Sequence, residues 1–132
     1  MMSKENKTIF IVDDDSDYLF QIETMVKNMG FDVKTAESMA EAEKTLEAFR
    51  PDLCIFDLMM ETEDSGFILS YKVKKKYPDM PIIMATAATA DTGYSFDLYG
   101  EDNKGWIKAD VYLEKGLRAD QLHREINKLL KL

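Results

Sequence analysis

A doubly wound α/β domain built on a parallel sheet is what this sequence predicts, and three observations predict it. Strand-like and helix-like segments alternate along the chain. The strand-like segments are short, nearly continuous apolar runs, the pattern of strands buried on both faces. Three of them stop abruptly at polar residues: Ile9-Phe10-Ile11-Val12 at Asp13-Asp14-Asp15, Leu53-Cys54-Ile55-Phe56 at Asp57, and Ile82-Ile83-Met84-Ala85 at Thr86. A fourth run, Val111-Tyr112-Leu113, leads to Glu114 and Lys115. Open α/β sheets present their ligand-binding groups at the carboxyl ends of the strands, which is where these polar residues fall.

Each element has a local reason. After the first strand, Tyr18, Leu19, Ile22, Met25, Val26 and Met29 mark one face of a helix, and Gly30 is placed to end it. The second strand runs from Phe31 to Thr35. Ser38, with Glu41 three residues later, has the spacing of a capping box. It opens a helix carrying Ala42, Leu46 and Phe49, which Arg50-Pro51 stops. The third strand is Leu53 to Asp57. A helix from about Phe67 to Tyr77 ends at Pro78, and Pro81 introduces the fourth strand. Ala87 to Ala90 starts only a short or irregular helix, because Gly93, Gly100 and Gly105 punctuate the chain beyond it. Val111 to Leu113 is the fifth strand, and the last helix bears Leu122, Ile126, Leu129 and Leu130. Five such units with right-handed crossovers require helices on both faces of the sheet.

Composition bounds the rest. The 132 residues suit one domain spanning 1–132, with a polar, flexible stretch at residues 1–7. No apolar run approaches the roughly 20 residues needed to cross a bilayer. The N-terminus lacks the apolar core of a secretion signal, and Cys54 is the single cysteine; both lead to the expectation of a cytoplasmic protein. A net charge of -8 argues against a phosphate-neutralising surface for nucleic acid.

The chemistry lies where the strands end. If the first and third strands are central neighbours, Asp13, Asp14 and Asp57 converge and their mutual repulsion calls for a divalent cation, Mg²⁺ or Mn²⁺. A phosphoryl group is the natural guest of such a site, with the Thr86 hydroxyl and the Lys115 ammonium holding its oxygens. Blander roles fit several neighbours. Asp15 reads as a helix cap, Cys54 as a small core residue, His123 as a solvated surface histidine, and Lys72, Lys74, Lys75 and Lys76 as a solvated helix face. A calcium loop is excluded by Tyr18, which stands where glycine is required.

Four segments carry a family resemblance. Val12-Asp13-Asp14-Asp15, Asp57-Leu58-Met59-Met60, Ile83-Met84-Ala85-Thr86-Ala87 and Asp110-Val111-Tyr112-Leu113-Glu114-Lys115 resemble, in order, the signature segments of the receiver domain of bacterial two-component response regulators, as in chemotaxis regulators. The resemblance covers nearly the whole chain. It implies a flavodoxin-like sheet of order 2-1-3-4-5 and a non-enzymatic signalling protein. By it, Asp57 accepts phosphate from a phosphohistidine on a sensor histidine kinase or histidine phosphotransfer protein. Asp14 binds Mg²⁺ directly, Asp13 directly or through water, and Met59 contributes its backbone carbonyl. Thr86, Lys115 and Tyr112 form the catalytic and switch set, and output passes through the face of the fourth helix, fifth strand and last helix. Met59 and Ala88 occupy positions that tune the lifetime of the phosphoprotein, and neither can orient a water, so slow self-dephosphorylation is expected.

The chain also departs from the family pattern. Glu61 replaces a usual proline, Gly66 comes one residue late, and Gly116 stands where proline normally follows the lysine, which makes a cis peptide at Lys115-Gly116 unfavourable. The stretch between Thr86 and Lys115 is longer than usual and holds Tyr94, Phe96, Tyr99 and Trp106. With no output domain expected after Leu132, the reading is a single-domain regulator that switches protein binding. Two rivals stand beside it: a haloacid-dehalogenase-like phosphatase with Asp13 as nucleophile, and a receiver-like interaction module independent of phosphorylation.

Overall fold

The computed structural model describes residues 7–58, 60, 65–86, 110–114 and 119–131. Five strands, β1 (Thr8–Val12), β2 (Asp32–Ala36), β3 (Leu53–Asp57), β4 (Ile82–Thr86) and β5 (Val111–Glu114), form one sheet of order β2-β1-β3-β4-β5. All four pairings are parallel. The helices are α1 (Ser16–Asn28), α2 (Met39–Ala48), α3 (Ser65–Lys76) and, as the fourth described, α4 (Ala119–Leu130). This is the doubly wound architecture expected from the alternation of runs.

The period of two along the strands divides the core into two layers. Phe10, Val12, Cys54, Phe56 and Met84 face α2 and α3, where Ala42, Leu46, Phe67, Leu69 and Val73 meet them. Ile9, Ile11, Leu53, Ile55 and Ile83 face the other way, onto Leu19, Ile22 and Val26 of α1 and Leu122 and Ile126 of α4. Burial on both faces explains why these strands read as continuous apolar runs rather than as alternating ones. Every residue of β3 is buried, as befits the central strand.

Local signals fix the ends of the helices. Asp15 caps α1, its carboxylate accepting from the N–H groups of Asp17 at 3.0 Å and Tyr18 at 3.3 Å. The far end closes as a Schellman motif: Gly30 sits at φ 99, Gly30 N–H donates to Lys27 O and Phe31 N–H to Val26 O. Ser38 caps α2 by accepting from Glu41 N–H at 3.1 Å, and the Glu41 carboxylate reaches back to Glu37 N–H at 2.8 Å. Phe49 lies outside α2 as its extended C-cap, one residue short of the predicted end. The start of α3 differs more, falling at Ser65 rather than near Phe67.

An aspartate laces the amino-terminal rim of the sheet at two places. Asp52, just before β3, accepts from Thr8 N–H at 2.7 Å and donates its own N–H to Thr8 O at 2.9 Å. Asp110, just before β5, does the same with Ile82, at 2.8 Å in each direction. Lys74 joins this second contact with an ion pair to Asp110 at 3.0 Å. Lys72 also pairs with Glu43 at 3.0 Å and Lys76 donates to Leu46 O at 3.1 Å, while Lys72, Lys75 and Lys76 remain exposed, as a solvated helix face does.

Ser70 lies fully buried in α3, and its hydroxyl has no hydrogen-bond partner among the described residues. Burying an unpaired hydroxyl costs about 1 to 3 kcal/mol. Ser70→Ala is therefore expected to stabilise the protein by about 1 kcal/mol, read as a higher urea midpoint at unchanged slope. A lower midpoint would contradict it.

Candidate functional site

The parallel register that pairs Val12 with Phe56 brings the next residues of each strand, Asp13 and Asp57, side by side at the carboxyl end of the sheet. Asp13 and Asp57 are 2% and 4% exposed, whereas Asp14 is open to solvent. One carboxylate oxygen from each of Asp13, Asp14 and Asp57 lies within 4.8 Å of the others. Strand parity puts Asp13 in the row of Ile9 and Ile11, and Asp57 in the row of Leu53 and Ile55, so both belong to the α1 face of the sheet.

Hydrogen bonds hold this corner at both strand ends. Asp13 Oδ1 accepts from Asp15 N–H at 2.9 Å, which fixes the turn between β1 and α1. Behind Asp57, Leu58 N–H donates to Ala85 O and Gly66 N–H donates to Leu58 O, both at 2.8 Å. Gly66 is buried so closely that a Cβ there would lie 2.7 Å from Leu58 Cα, 2.7 Å from Met84 Sδ, and nearer still to Asp57 O. The lack of a side chain at position 66 is thus what lets α3 start against the segment carrying Asp57.

Three hard oxygen donors from two strand ends, two of them buried, suit a small divalent cation that completes its shell with water. Like charges packed this closely repel in its absence, and their burial strengthens the repulsion. Asp13, Asp14 and Asp57 are the residues that could hold such an ion. Asp15 is occupied as a helix cap.

Thr86 closes β4 and pairs with Glu114 in the register, while Tyr112 pairs with Met84, so the backbone carries both positions on the strands expected of them. Met59, Ala88, Lys115, the Lys115-Gly116 peptide and the aromatic stretch from Tyr94 to Trp106 lie outside the described residues, as does nearly all of the stretch 1–7. His123 departs from the solvated reading: it is half-buried and meets the Phe31 ring edge-on, with centroids 6.3 Å apart. Cys54 is fully buried, and that burial pushes its thiol well above the ordinary range.

Tyr18 is the residue that sequence reading left out of the site. It is half-buried, packs on the α1-side core, and has its phenol pushed up by burial first and by the charges of Asp13 and Asp57 second. The one available signal was its place three residues after the capping aspartate, in the first turn of the helix that leaves the site.

A family model described as the response regulator receiver domain matches residues 9–127. The heme response regulator HssR of Staphylococcus aureus is 40% identical over 122 residues, covering 92% of this chain and 50% of that protein. The transcriptional regulatory protein GltR of Pseudomonas aeruginosa is 30% identical over 132 residues, covering 98% of this chain and 51% of its own length. The chain thus spans about half the length of these curated relatives. Among solved structures, a CheY-like receiver domain protein from Methanospirillum hungatei is 27% identical with a TM-score of 0.75, covering 95% of this chain and 94% of that one. TrrA of Thermotoga maritima, solved in complex with Mg(2+)-BeF, is 27% identical with a TM-score of 0.77, covering 93% of this chain and 98% of its own. No described helix is long and apolar enough to cross a membrane.

Proposed function

Because the chain belongs to the family of response regulator receiver domains, we propose that it accepts a phosphoryl group on Asp57 from a phosphohistidine of a sensor kinase or phosphotransfer protein. The observation that carries this reading is the convergence of Asp13, Asp14 and Asp57 at the carboxyl end of the central strands. An Asp57 carboxylate oxygen attacks phosphorus, the phosphorus–nitrogen bond of the phosphohistidine breaks, and the imidazole departs with its electron pair and takes up a proton. Asp13, Asp14 and Asp57, with the Met59 carbonyl, would hold Mg²⁺, which would supply the charge that offsets the phosphoryl oxygens.

The remaining roles belong to the chain's own groups. Lys115 pairs with one phosphoryl oxygen and Thr86 donates its hydroxyl to another. Drawing the Thr86 hydroxyl inward opens space that Tyr112 fills, and this carries the phosphorylation state to the surface formed by the segment after Thr86, β5 and α4. A protein target binds there. The two states differ by a few kcal/mol, the range in which a phosphoryl group shifts populations.

Incubation with acetyl phosphate and Mg²⁺ tests the reading. One acyl phosphate is expected, mapped to Asp57 by hydroxylamine cleavage and mass spectrometry. Mapping to Asp13 would replace this reading with the dehalogenase-like one, and no labelling at all would favour a phosphorylation-independent module. With Met59 and Ala88 unable to orient water, the label is expected to persist for minutes or longer after removal of the donor; loss within seconds would contradict that part.

A further inference from the structure

We infer that a second copy of this chain docks on the face formed by α2 and α3, about a two-fold axis running along the groove between these helices, so that Glu47 of each copy meets Lys75 of the other. The inference does not depend on the phosphoacceptor reading above. Charge is the first support. Lys72, Lys74, Lys75 and Lys76 give α3 four bases and no acid, whereas α2 carries Glu41, Glu43 and Glu47 against Lys44. A net charge of -8 keeps copies apart by general repulsion, so association needs a place where the charges are locally divided. A face that is acidic along one side and basic along the other is complementary to itself, as an isologous contact requires.

The second support is geometric. Both helices cover the same face of the sheet, and they advance in step: Lys72 pairs with Glu43 at 3.0 Å, and four residues further on Lys76 reaches Leu46 O at 3.1 Å. The helices are thus parallel, with Glu47 at the level of Lys75 and Lys76. Half a turn about an axis parallel to both helices keeps every residue at its level and exchanges the two sides. It lays α2 of one copy over α3 of the other and brings Glu47 opposite Lys75. An axis running across the helices would instead set acid on acid.

The third support is what the fold leaves unpaired on this face. Lys72 is taken up by Glu43, Lys76 by Leu46 O and Lys74 by Asp110. Glu47 and Lys75 are exposed, and neither has an ion-pair partner among the described residues. Between the helices lies a groove of about 210 Å³, with Leu46, Leu69 and Val73 beneath and Glu43, Glu47 and Lys72 at its sides. With the axis over this groove, the apolar floors of the two copies face one another. Asp13 and Asp57 belong to the opposite, α1 face of the sheet, so the contact does not cover them. Helices of 10 and 12 residues offer a small face, and the dimer is accordingly weak.

Sedimentation velocity of the full chain from about 10 μM to about 1 mM, the span in which small interfaces come apart, is expected to show monomer and dimer in exchange. Amide NMR shifts on dilution are expected to fall on α2 and α3. Glu47→Lys and Lys75→Glu are each expected to weaken dimerisation on the order of tenfold, because the two-fold turns one reversal into two like-charge contacts. An equimolar mixture of the two variants, and the double variant, are expected to recover it. General repulsion cannot imitate this pattern, since Glu47→Lys reduces the net negative charge and would by that effect alone tighten association. A protein that stays monomeric throughout the concentration range overturns the inference. So do dilution shifts confined to other elements, or single variants that associate as the unaltered protein does. A mixture that fails to recover while both variants keep the unaltered unfolding midpoint overturns it too.

Discussion

Gly66→Ala is expected to lower the midpoint of thermal unfolding by roughly 10 °C and to abolish Mg²⁺ binding together with it. The added Cβ would meet Leu58 Cα and Met84 Sδ at 2.7 Å and would overlap Asp57 O. Met84 could yield by rotating its flexible side chain, but the other two atoms are backbone of the segment that carries Asp57. That segment is pinned by the bonds from Leu58 N–H to Ala85 O and from Gly66 N–H to Leu58 O. Relief therefore requires α3 to move away or the end of β3 to shift. Overpacking of this kind costs about 1 to 3 kcal/mol and more where backbone is trapped. Differential scanning calorimetry and a Mg²⁺ titration check the two halves of the expectation. A midpoint within about 2 °C of the unaltered protein would show that the corner yields far more easily than its contacts imply.

Asp57→Asn is expected to remove all phosphoryl incorporation and, in the metal-free protein, to raise stability. Asparagine keeps the shape of the side chain while deleting one of three carboxylate charges whose oxygens lie within 4.8 Å of each other. Repulsion between the two buried carboxylates, Asp13 and Asp57, costs on the order of 1 to 3 kcal/mol in a medium of intermediate dielectric, so its relief has that size. Mg²⁺ should reverse the ranking. The unaltered protein gains about 2.7 kcal/mol at a Mg²⁺ concentration 100 times its dissociation constant, and a variant that lacks one ligand gains far less. Urea unfolding with EDTA and with saturating Mg²⁺ reads both signs. Equal responses to Mg²⁺ would remove Asp57 from the ligand set, and residual labelling would remove it as acceptor.

The strands were legible because central parallel strands are dehydrated on both faces, and a continuous apolar run such as Ile82 to Ala85 leaves few other readings. Helix ends were legible where a side chain closes them, as at Asp15 and Ser38, or where a left-handed residue is needed, as at Gly30. The start of α3 was misread because Gly66 weighs against a helix in isolation. Its presence there answers to a close approach from β3 and β4, a demand that arises only once those strands are adjacent. Convergence of Asp13, Asp14 and Asp57 followed from strand order, an inference that sequence supports. The place of Tyr18 depends on which face of α1 meets which row of the sheet, and periodicity marks it only as core-facing. The Asp52 and Asp110 contacts escaped notice for a related reason: an acid before a strand reads as an ordinary loop residue until its neighbour strand is known.

Those two aspartates make the sheet mechanically lopsided. Each clamps the entry of one strand to the entry of its neighbour through a pair of opposed bonds, whereas the exits of β1 and β3 carry the three carboxylates that a cation would draw together. A perturbation arriving at the exits would then hinge about the clamped entries, leaving those entries nearly still. Amide protons of Thr8, Asp52, Ile82 and Asp110 should consequently exchange with solvent at rates indifferent to magnesium, while protection at the far ends of the same strands climbs when the ion is added.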